Sequence, residues 1–372
     1  MTVHSSKSQI SSEGLLDARS QFVLAEIIKE HRRTGEPVGS RAIAERCASG
    51  AGWSAPTIRN VMSELEQAGL VEQPHTSAGR VPTDKGYRYY VDHLIGAARL
   101  SRVDTDTIDN LLGISHLSTG TGAARLMEGV SRLLSELSDN VGIVVSPPHA
   151  ENRLLHVEFV ALADGGIIVV MVFAPNVVQN RIVRTGETLS QDELDRTARY
   201  LNAEFTGKSL TAIRAEIIQL MRNEKALYDR LLRNAVLLFD RSLEDEESSA
   251  GDVYVDGASN ILDKPEFANV ARLRELFRTL EEKTRLVQIL SECIAGSRAG
   301  DQARVRIGRE LGAPSMQACA LITAPYRVGA GGGVGTLGVV GPMRIEYARL
   351  MAVVNYVARR METVFGEDAA AV

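Results

Sequence analysis

The sequence predicts an α+β multidomain protein. It has a helix-turn-helix head with a small β wing, an antiparallel sheet with helices, and a mostly helical insertion. Three observations carry this. Within the first hundred residues, apolar side chains recur at helical spacing three times in succession, followed by two short β runs around a turn-rich tip. Residues 140–183 and 317–340 contain strand-length apolar or alternating runs. Between them, residues 210–294 return to a mainly helical period, which divides the strand-rich pattern in two. A chain of 372 residues is long enough for two or three hydrophobic cores without metal or disulfide staples.

Composition narrows the class. With 44% hydrophobic and 24% charged residues the chain is an ordinary globular protein. Its three cysteines, Cys47, Cys293 and Cys319, are odd in number and lack metal-type spacing, which fits a reducing compartment. Residues Met1 to Gly14 are polar and contain no apolar stretch of the kind a signal peptide needs. The longest apolar run, Ile167 to Ala174, suits a buried strand and is too short to span a bilayer. A cytoplasmic protein is expected. The net charge is −5, but residues 1–102 carry 13 Lys and Arg against 11 Asp and Glu, and the rest carry 29 against 36. The head is therefore the mildly basic region.

The first helix, Leu15 to Arg33, gathers Leu16, Val23, Leu24, Ile27 and Ile28 on one side and stops at Gly35. Ser40 offers its oxygen as a cap for a second helix, Arg41 to Cys47. Ser54 caps a third, with Pro56 in its first turn, where a missing N–H costs nothing, and Gly69 as its stop. Ile58, Val61, Met62 and Leu65 form its apolar stripe, leaving Thr57, Arg59, Asn60, Ser63 and Gln67 on the outer arc.

Those outer residues are base- and phosphate-binding types. Arg grips guanine bidentately, Asn grips adenine, and hydroxyls take either a base or a phosphate, through a major groove wide enough for one helix. A solvated helix face has the same composition, so the following segment decides. Leu70 to Gln73 and Arg80–Val81 read as short strands joined by the tip Pro74 to Gly79, and Thr83 opens another helix. The whole is a winged helix-turn-helix. Its expected DNA-contacting set is Ser40, Arg41, Ser54, Thr57, Arg59, Asn60, Ser63, His75, Arg80 and Lys85. Arg59 and Asn60 are expected to read bases, and His75 and Arg80 to reach phosphate or minor groove from the tip.

The run Thr57-Ile-Arg-Asn-Val-Met-Ser-Glu-Leu-Glu-Gln-Ala-Gly-Leu70, continued by Glu72-Gln-Pro-His-Thr-Ser-Ala-Gly-Arg-Val-Pro-Thr-Asp-Lys-Gly-Tyr-Arg88, resembles the heat-inducible transcription repressor family HrcA. Gly35-Glu-Pro-Val-Gly-Ser40 resembles the same family, as do Asp252 to Asn260, Pro265-Glu-Phe267, Ala324-Pro-Tyr326, Val334 to Gly338 and Gly341-Pro342. The resemblance spans nearly the whole chain. It implies a winged helix, a GAF-like domain, and a dimerising domain inserted within the latter. It also implies repression of chaperone operons through an inverted-repeat operator, with the GroE chaperonin sustaining activity. The glycine-rich stretch Gly329 to Gly333 departs from the family pattern, and a flexible loop is expected there.

Along the body, helices are expected at Ser118–Leu137, Ser190–Phe205, Leu210–Phe239, Pro265–Ile294 and Arg344–Phe365. Strands are expected at Asn140–Val145, His156–Leu162, Ile167–Phe173, Val177–Val183, Val253–Val255, Gln317–Thr323 and Gly335–Val340. Six divisions follow. They are an extension (1–14), the head (15–102), an N-terminal GAF-like segment (103–210), the inserted dimerising domain (211–299), a C-terminal GAF-like segment (300–366) and a flexible tail (367–372).

Several signals point away from catalysis. Gly333 to Gly338 satisfies G-x-G-x-x-G, but a β-type run follows it where a dinucleotide site needs a helix. The seven histidines are scattered without metal-helix spacing, and no G-x-S-x-G elbow occurs. No enzyme activity, cofactor or metal is expected, and the acidic stretch Glu244 to Glu247 reads as a solvated loop. Two other classes stay open. One is a ligand-gated regulator, with Ile167 to Phe173 contributing to the ligand site. The other is a protein-binding adaptor.

Overall fold

The computed structural model describes residues 16–47, 52–75, 78–96, 98–114, 122–147, 153–162, 165–173, 177–184, 189–209, 212–213, 215–216, 251–262, 264–294, 302–328 and 333–370. The expected extension, the helix Leu210–Phe239 apart from four residues, the acidic stretch and Gly329 to Gly332 lie outside the described residues.

The head follows its local signals. Helix α1 (Ala18–Thr34) is capped by Asp17, whose carboxylate accepts from Ser20 N at 2.7 Å, and it ends at Gly35 with φ +73°. Helix α2 runs Ser40–Cys47, and α3 runs Ala55–Gln67 from its Ser54 cap. Ile58, Val61, Met62 and Leu65 bury against Val23, Leu24, Ile27, Ile28 and Ile43 in one core. Each such side chain contributes about 1.5–3 kcal/mol relative to exposure.

Strands β1 (Val71–Glu72) and β2 (Val81–Pro82) pair antiparallel. Val38 joins them as a third rung, exchanging two 2.9 Å backbone bonds with Arg80. A Cβ on Gly79 would stand 2.4 Å from the Val38 carbonyl, so this rung needs a glycine beside it. Helix α4 (Asp84–Tyr89) starts at Thr83, whose hydroxyl accepts from Gly86 N and donates to Gly69 O.

After α5 (Arg102–Ile114) and α6 (Gly122–Ser138), the chain enters a five-stranded antiparallel sheet. Its spatial order runs β7 (Val253–Asp256), β3 (Val141–Val145), β10 (Val334–Pro342), β9 (Cys319–Arg327), β8 (Arg304–Ile307). One face carries Val144, Ile322, Ala324, Tyr326, Leu337 and Val339 against α6 and the C-terminal helix Tyr347–Ala370. The other carries Val141, Ile143, Leu321 and Val340 against the helices Val270–Glu281 and Lys283–Ile294. Both faces are covered, so β3 reads Val-Gly-Ile-Val-Val with every position buried.

A second sheet stands apart. Strands β4 (Leu154–Ala161), β5 (Ile167–Phe173) and β6 (Val177–Val183) form an antiparallel meander backed by α7 (Gln191–Phe205), with its own core of Leu154, Val157, Phe159, Val169, Met171, Phe173, Leu194, Leu201 and Phe205. The sequence places the insertion at 211–299, and strand pairing draws it differently. The segment leaving the five-stranded sheet runs from the end of β3 to the start of β7, because those two strands pair with each other. At the stem, Ser146 N donates to Asp252 O at 2.9 Å and Asp252 N donates to Ser146 Oγ at 2.7 Å. Residues 253–294, expected in the insertion, build the edge and one face of the main sheet. The expected single helix Pro265–Ile294 is a 3-10 turn at Pro265–Phe267 followed by two helices. Strand β8 had no sequence counterpart, and the C-terminal helix continues to Ala370, into the expected tail. Gly333 to Gly338 enters β10 and opens no helix, which removes the dinucleotide reading.

Candidate nucleic-acid interface

Helix α3 presents what its sequence period demands. Arg59, Asn60 and Gln67 are exposed or nearly so, and Thr57 and Ser63 are half-buried. Their helix is fixed from below by the four buried apolar residues and at its start by Ser54. The Ser54 hydroxyl lies 2.9 Å from Thr57 Oγ1 and accepts from Thr57 N at 3.4 Å. Ser54 is thus a cap first, and its hydroxyl stays at the solvent-facing helix entry. Ser40 is the first residue of α2, half-buried, followed by exposed Arg41. His75 is exposed on the wing, and its neighbours Thr76 and Ser77 lie outside the described residues. Lys85 is exposed in the first turn of α4.

Ion pairing separates the head's cations. Between residues 16 and 92, Lys29, Arg33 and Arg46 pair with Glu26 or Glu30, Arg32 pairs with Glu346, Arg80 with Glu66, and Arg88 with Asp92 and Glu310. Arg41, Arg59 and Lys85 have no carboxylate partner among the described residues, and all three are exposed. An exposed cation with no internal counter-charge is available to a phosphate.

Arg80 departs from its sequence expectation. Its guanidinium reaches Glu66 on α3 at 2.8 Å and its side chain is only 15% exposed, while its backbone carries the Val38 rung. It braces the wing against the recognition helix. Glu66 escaped sequence reasoning because it is an unremarkable acid on a polar arc, and its partner sits on a different element.

The same helix that follows the wing holds the head to the body. Arg88 Nε donates to Glu310 at 2.8 Å and Nη2 to the Val305 carbonyl at 2.6 Å, and Asp84 accepts from Arg309 N at 3.1 Å. Glu310 is partly desolvated, which by itself would raise its pKa, yet the Arg88 hydrogen bonds hold it below the usual carboxylate range. Buried Tyr87 meets the Tyr347 ring at 6.0 Å and bonds His31 Nδ1 at 2.9 Å. Burial, and then the nearby Arg344, lower the His31 pKa, which favours the neutral imidazole. Arg344 pairs with Glu266 and donates to Arg32 O, the C-terminal end of α1. Arg88 stands inside the run that resembles the family, yet its local sequence announces no role, because Glu310 and Val305 lie more than two hundred residues away.

The ligand-gated alternative loses its proposed residues. Ile167, Val169, Met171 and Phe173 fill the core of the separate three-stranded unit and line no region of the main sheet. Among the described residues no helix is long and apolar enough to cross a membrane.

Known proteins place these features. A family model described as the winged helix-turn-helix transcription repressor, HrcA DNA-binding domain, matches residues 16–92, and one described as the HrcA protein C-terminal domain matches 124–351. A heat-inducible transcription repressor HrcA of Geobacter sulfurreducens is 39% identical over 92% of this chain and 96% of its own length. Its namesake in Xanthomonas axonopodis pv. citri is 36% identical over 94% and 95%. A solved structure described as a hypothetical protein at 2.2 Å resolution shares the fold, with TM-score 0.58 and 22% identity, over 95% of this chain and 100% of that one. Relatives of this kind are transcription repressors, a non-enzymatic role. With one family model on the head, another on most of the body, and relatives above 30% identity along nearly the full length, the chain belongs to the HrcA family of heat-inducible transcription repressors.

Proposed function

We propose that the protein acts in the cytoplasm as a homodimer, setting two α3 helices into the halves of an inverted-repeat operator ahead of chaperone operons. The observation that carries the DNA contact is the outer arc Thr57, Arg59, Asn60 and Ser63 on a helix fixed by a buried stripe, flanked by the unpaired cations Arg41 and Lys85. Ser40, Ser54 and His75 complete the surface. Two-fold symmetry in the protein requires a palindromic site in the DNA.

For the dimer, the surface lies on the outer face of the β4–β5–β6 sheet. The register stacks Val160, Ile168 and Ile182 in one row and His156, Val172 and Val178 in another, with Glu158, Val170 and Asn180 between them. Ile182 is 65% exposed and Val178 49%. Exposed aliphatic side chains on the outer face of a sheet whose inner face is already filled support burial against a second copy. The expected helix Leu210–Phe239 of the inserted dimerising domain lies, apart from four residues, outside the described residues. In the proposed circuit the GroE chaperonin keeps the repressor folded. Heat-damaged proteins that occupy the chaperonin lower the supply of active repressor, and transcription rises.

The deciding measurement is fluorescence anisotropy with a labelled inverted-repeat operator and a scrambled duplex at fixed salt, with and without chaperonin. Selective binding of the repeat is expected, with a gain when chaperonin is present. Equal affinity for both duplexes would overturn sequence-specific repression, and no gain would remove the chaperonin from the circuit.

Arg80 yields a separate prediction. As a brace, Arg80→Ala is expected to cost the head about 1 kcal/mol, the upper end of the range for exposed ion pairs. The thermal midpoint should fall while the salt dependence of DNA binding stays unchanged. A salt slope shallower by about 0.9 per head with an unchanged midpoint would return Arg80 to the phosphate contacts.

A further inference from the structure

Among the described residues of the head, Arg19 shares the properties of Arg41, Arg59 and Lys85: it is exposed and has no carboxylate partner. It differs in being held. Its guanidinium carbon lies 5.2 Å from the centroid of the Trp53 ring. Phe22, one turn further along α1, meets the same ring edge-to-face at 5.6 Å and 85°. Trp53 in turn directly precedes Ser54, the cap of the recognition helix. Gly52, directly before the ring and at φ +62°, donates its N–H to Cys47 O, at the end of α2, at 2.9 Å. The platform is therefore anchored to both α1 and the start of α3, and it stays open to water, with Phe22 39% exposed.

Stacking uses the face of a guanidinium and leaves its N–H edge free to donate. The N-terminal end of a recognition helix is the end that enters the major groove, where the backbone phosphates pass on either side. We propose that Arg19 is a phosphate-contacting residue flanking the recognition helix, with Trp53 and Phe22 as the positioning platform and the backbone phosphodiester of duplex DNA as its ligand. The proposal rests on the DNA-binding role of the head. It assigns Arg19 to register and affinity, and leaves base discrimination to Arg59 and Asn60.

The test uses the full chain and titrates inverted-repeat and scrambled duplexes over a salt series. Arg19→Ala is expected to weaken both duplexes by the same factor, leave their ratio unchanged, and make the plot of log affinity against log salt shallower by about 0.9 per head. Trp53→Phe is expected to keep the slope, because any flat ring supplies the platform, and Trp53→Ala to weaken binding. Trp53 is the chain's single tryptophan, so the wild-type emission reads this site directly and is expected to change on adding either duplex. An unchanged slope for Arg19→Ala alongside a shallower slope for Arg41→Ala would overturn the proposal, as would tryptophan emission that saturating duplex does not move. A wild-type chain that binds neither duplex would overturn the DNA-binding role itself, an outcome distinct from a silent Arg19 variant. Arg19 is exposed, so the thermal midpoint of its variant should match wild type and separate lost contact from lost fold.

Discussion

Joining Pro147 directly to Gly251, with residues 148–250 removed, is expected to give a folded monomer whose operator affinity is lower by about 10²–10⁴. The stem makes the excision feasible. Ser146 and Asp252 already bond each other across the gap, and β3 and β7 are antiparallel neighbours. The join leaves Ser146-Pro147-Gly251-Asp252 as a four-residue hairpin loop, a common length for such connections. Pro followed by Gly also suits the central positions of a type II turn. Neither core of the five-stranded sheet loses a residue, because the deleted segment carries its own. The affinity falls because the second head no longer benefits from the effective concentration that dimerisation supplies. Sedimentation and operator titration check the two halves of this expectation, and a shortened chain that still sediments as a dimer would place the interface elsewhere. Deleting 211–299 instead would remove β7 and two core helices, so that variant is expected to misfold.

Replacing Arg59 and Asn60 together by alanine is expected to abolish discrimination between operator and scrambled duplex while leaving the fold and nonspecific binding in place. Each bidentate base contact is worth about 1–3 kcal/mol, and each head loses two. Both side chains are exposed and stand outside the stripe of Ile58, Val61, Met62 and Leu65, so thermal stability should hardly move. Competition titration with scrambled duplex reads the ratio directly. If the double variant keeps the wild-type ratio, base reading belongs to other residues, such as Thr57 and Ser63.

The head was legible in the sequence because its signals are local. Ser54, Pro56 and Gly69 bracket α3 within a few residues, and the apolar period fixes which side is buried. The insertion was misplaced because its boundary is a pairing fact. The run Val253 to Val255 looks like any short strand, and only its register with Ile143 to Val145 shows that it belongs to the main sheet. The Arg80–Glu66 pair was missed for a related reason: an arginine at a wing tip suits a phosphate and a glutamate equally well, and composition does not say that α3 turns Glu66 toward it. The Arg19–Trp53 contact joins α1 to the residue before the α3 cap in the same way, with nothing in the intervening sequence to announce it.

The order in which the five-stranded sheet closes has a consequence for how the chain is made. Its strand β3 is buried at every position, yet its two neighbours, β7 and β10, are synthesised only after the whole insertion has emerged. Until then a sticky five-residue segment waits with both edges open. Pairings so distant along the chain close slowly, and chains held in that condition aggregate. A nascent repressor of this design competes, in the proposed circuit, with other unfinished or heat-damaged chains for the chaperonin. In the proposed circuit its own folding yield is therefore the thermometer, and no separate heat-sensing site is required.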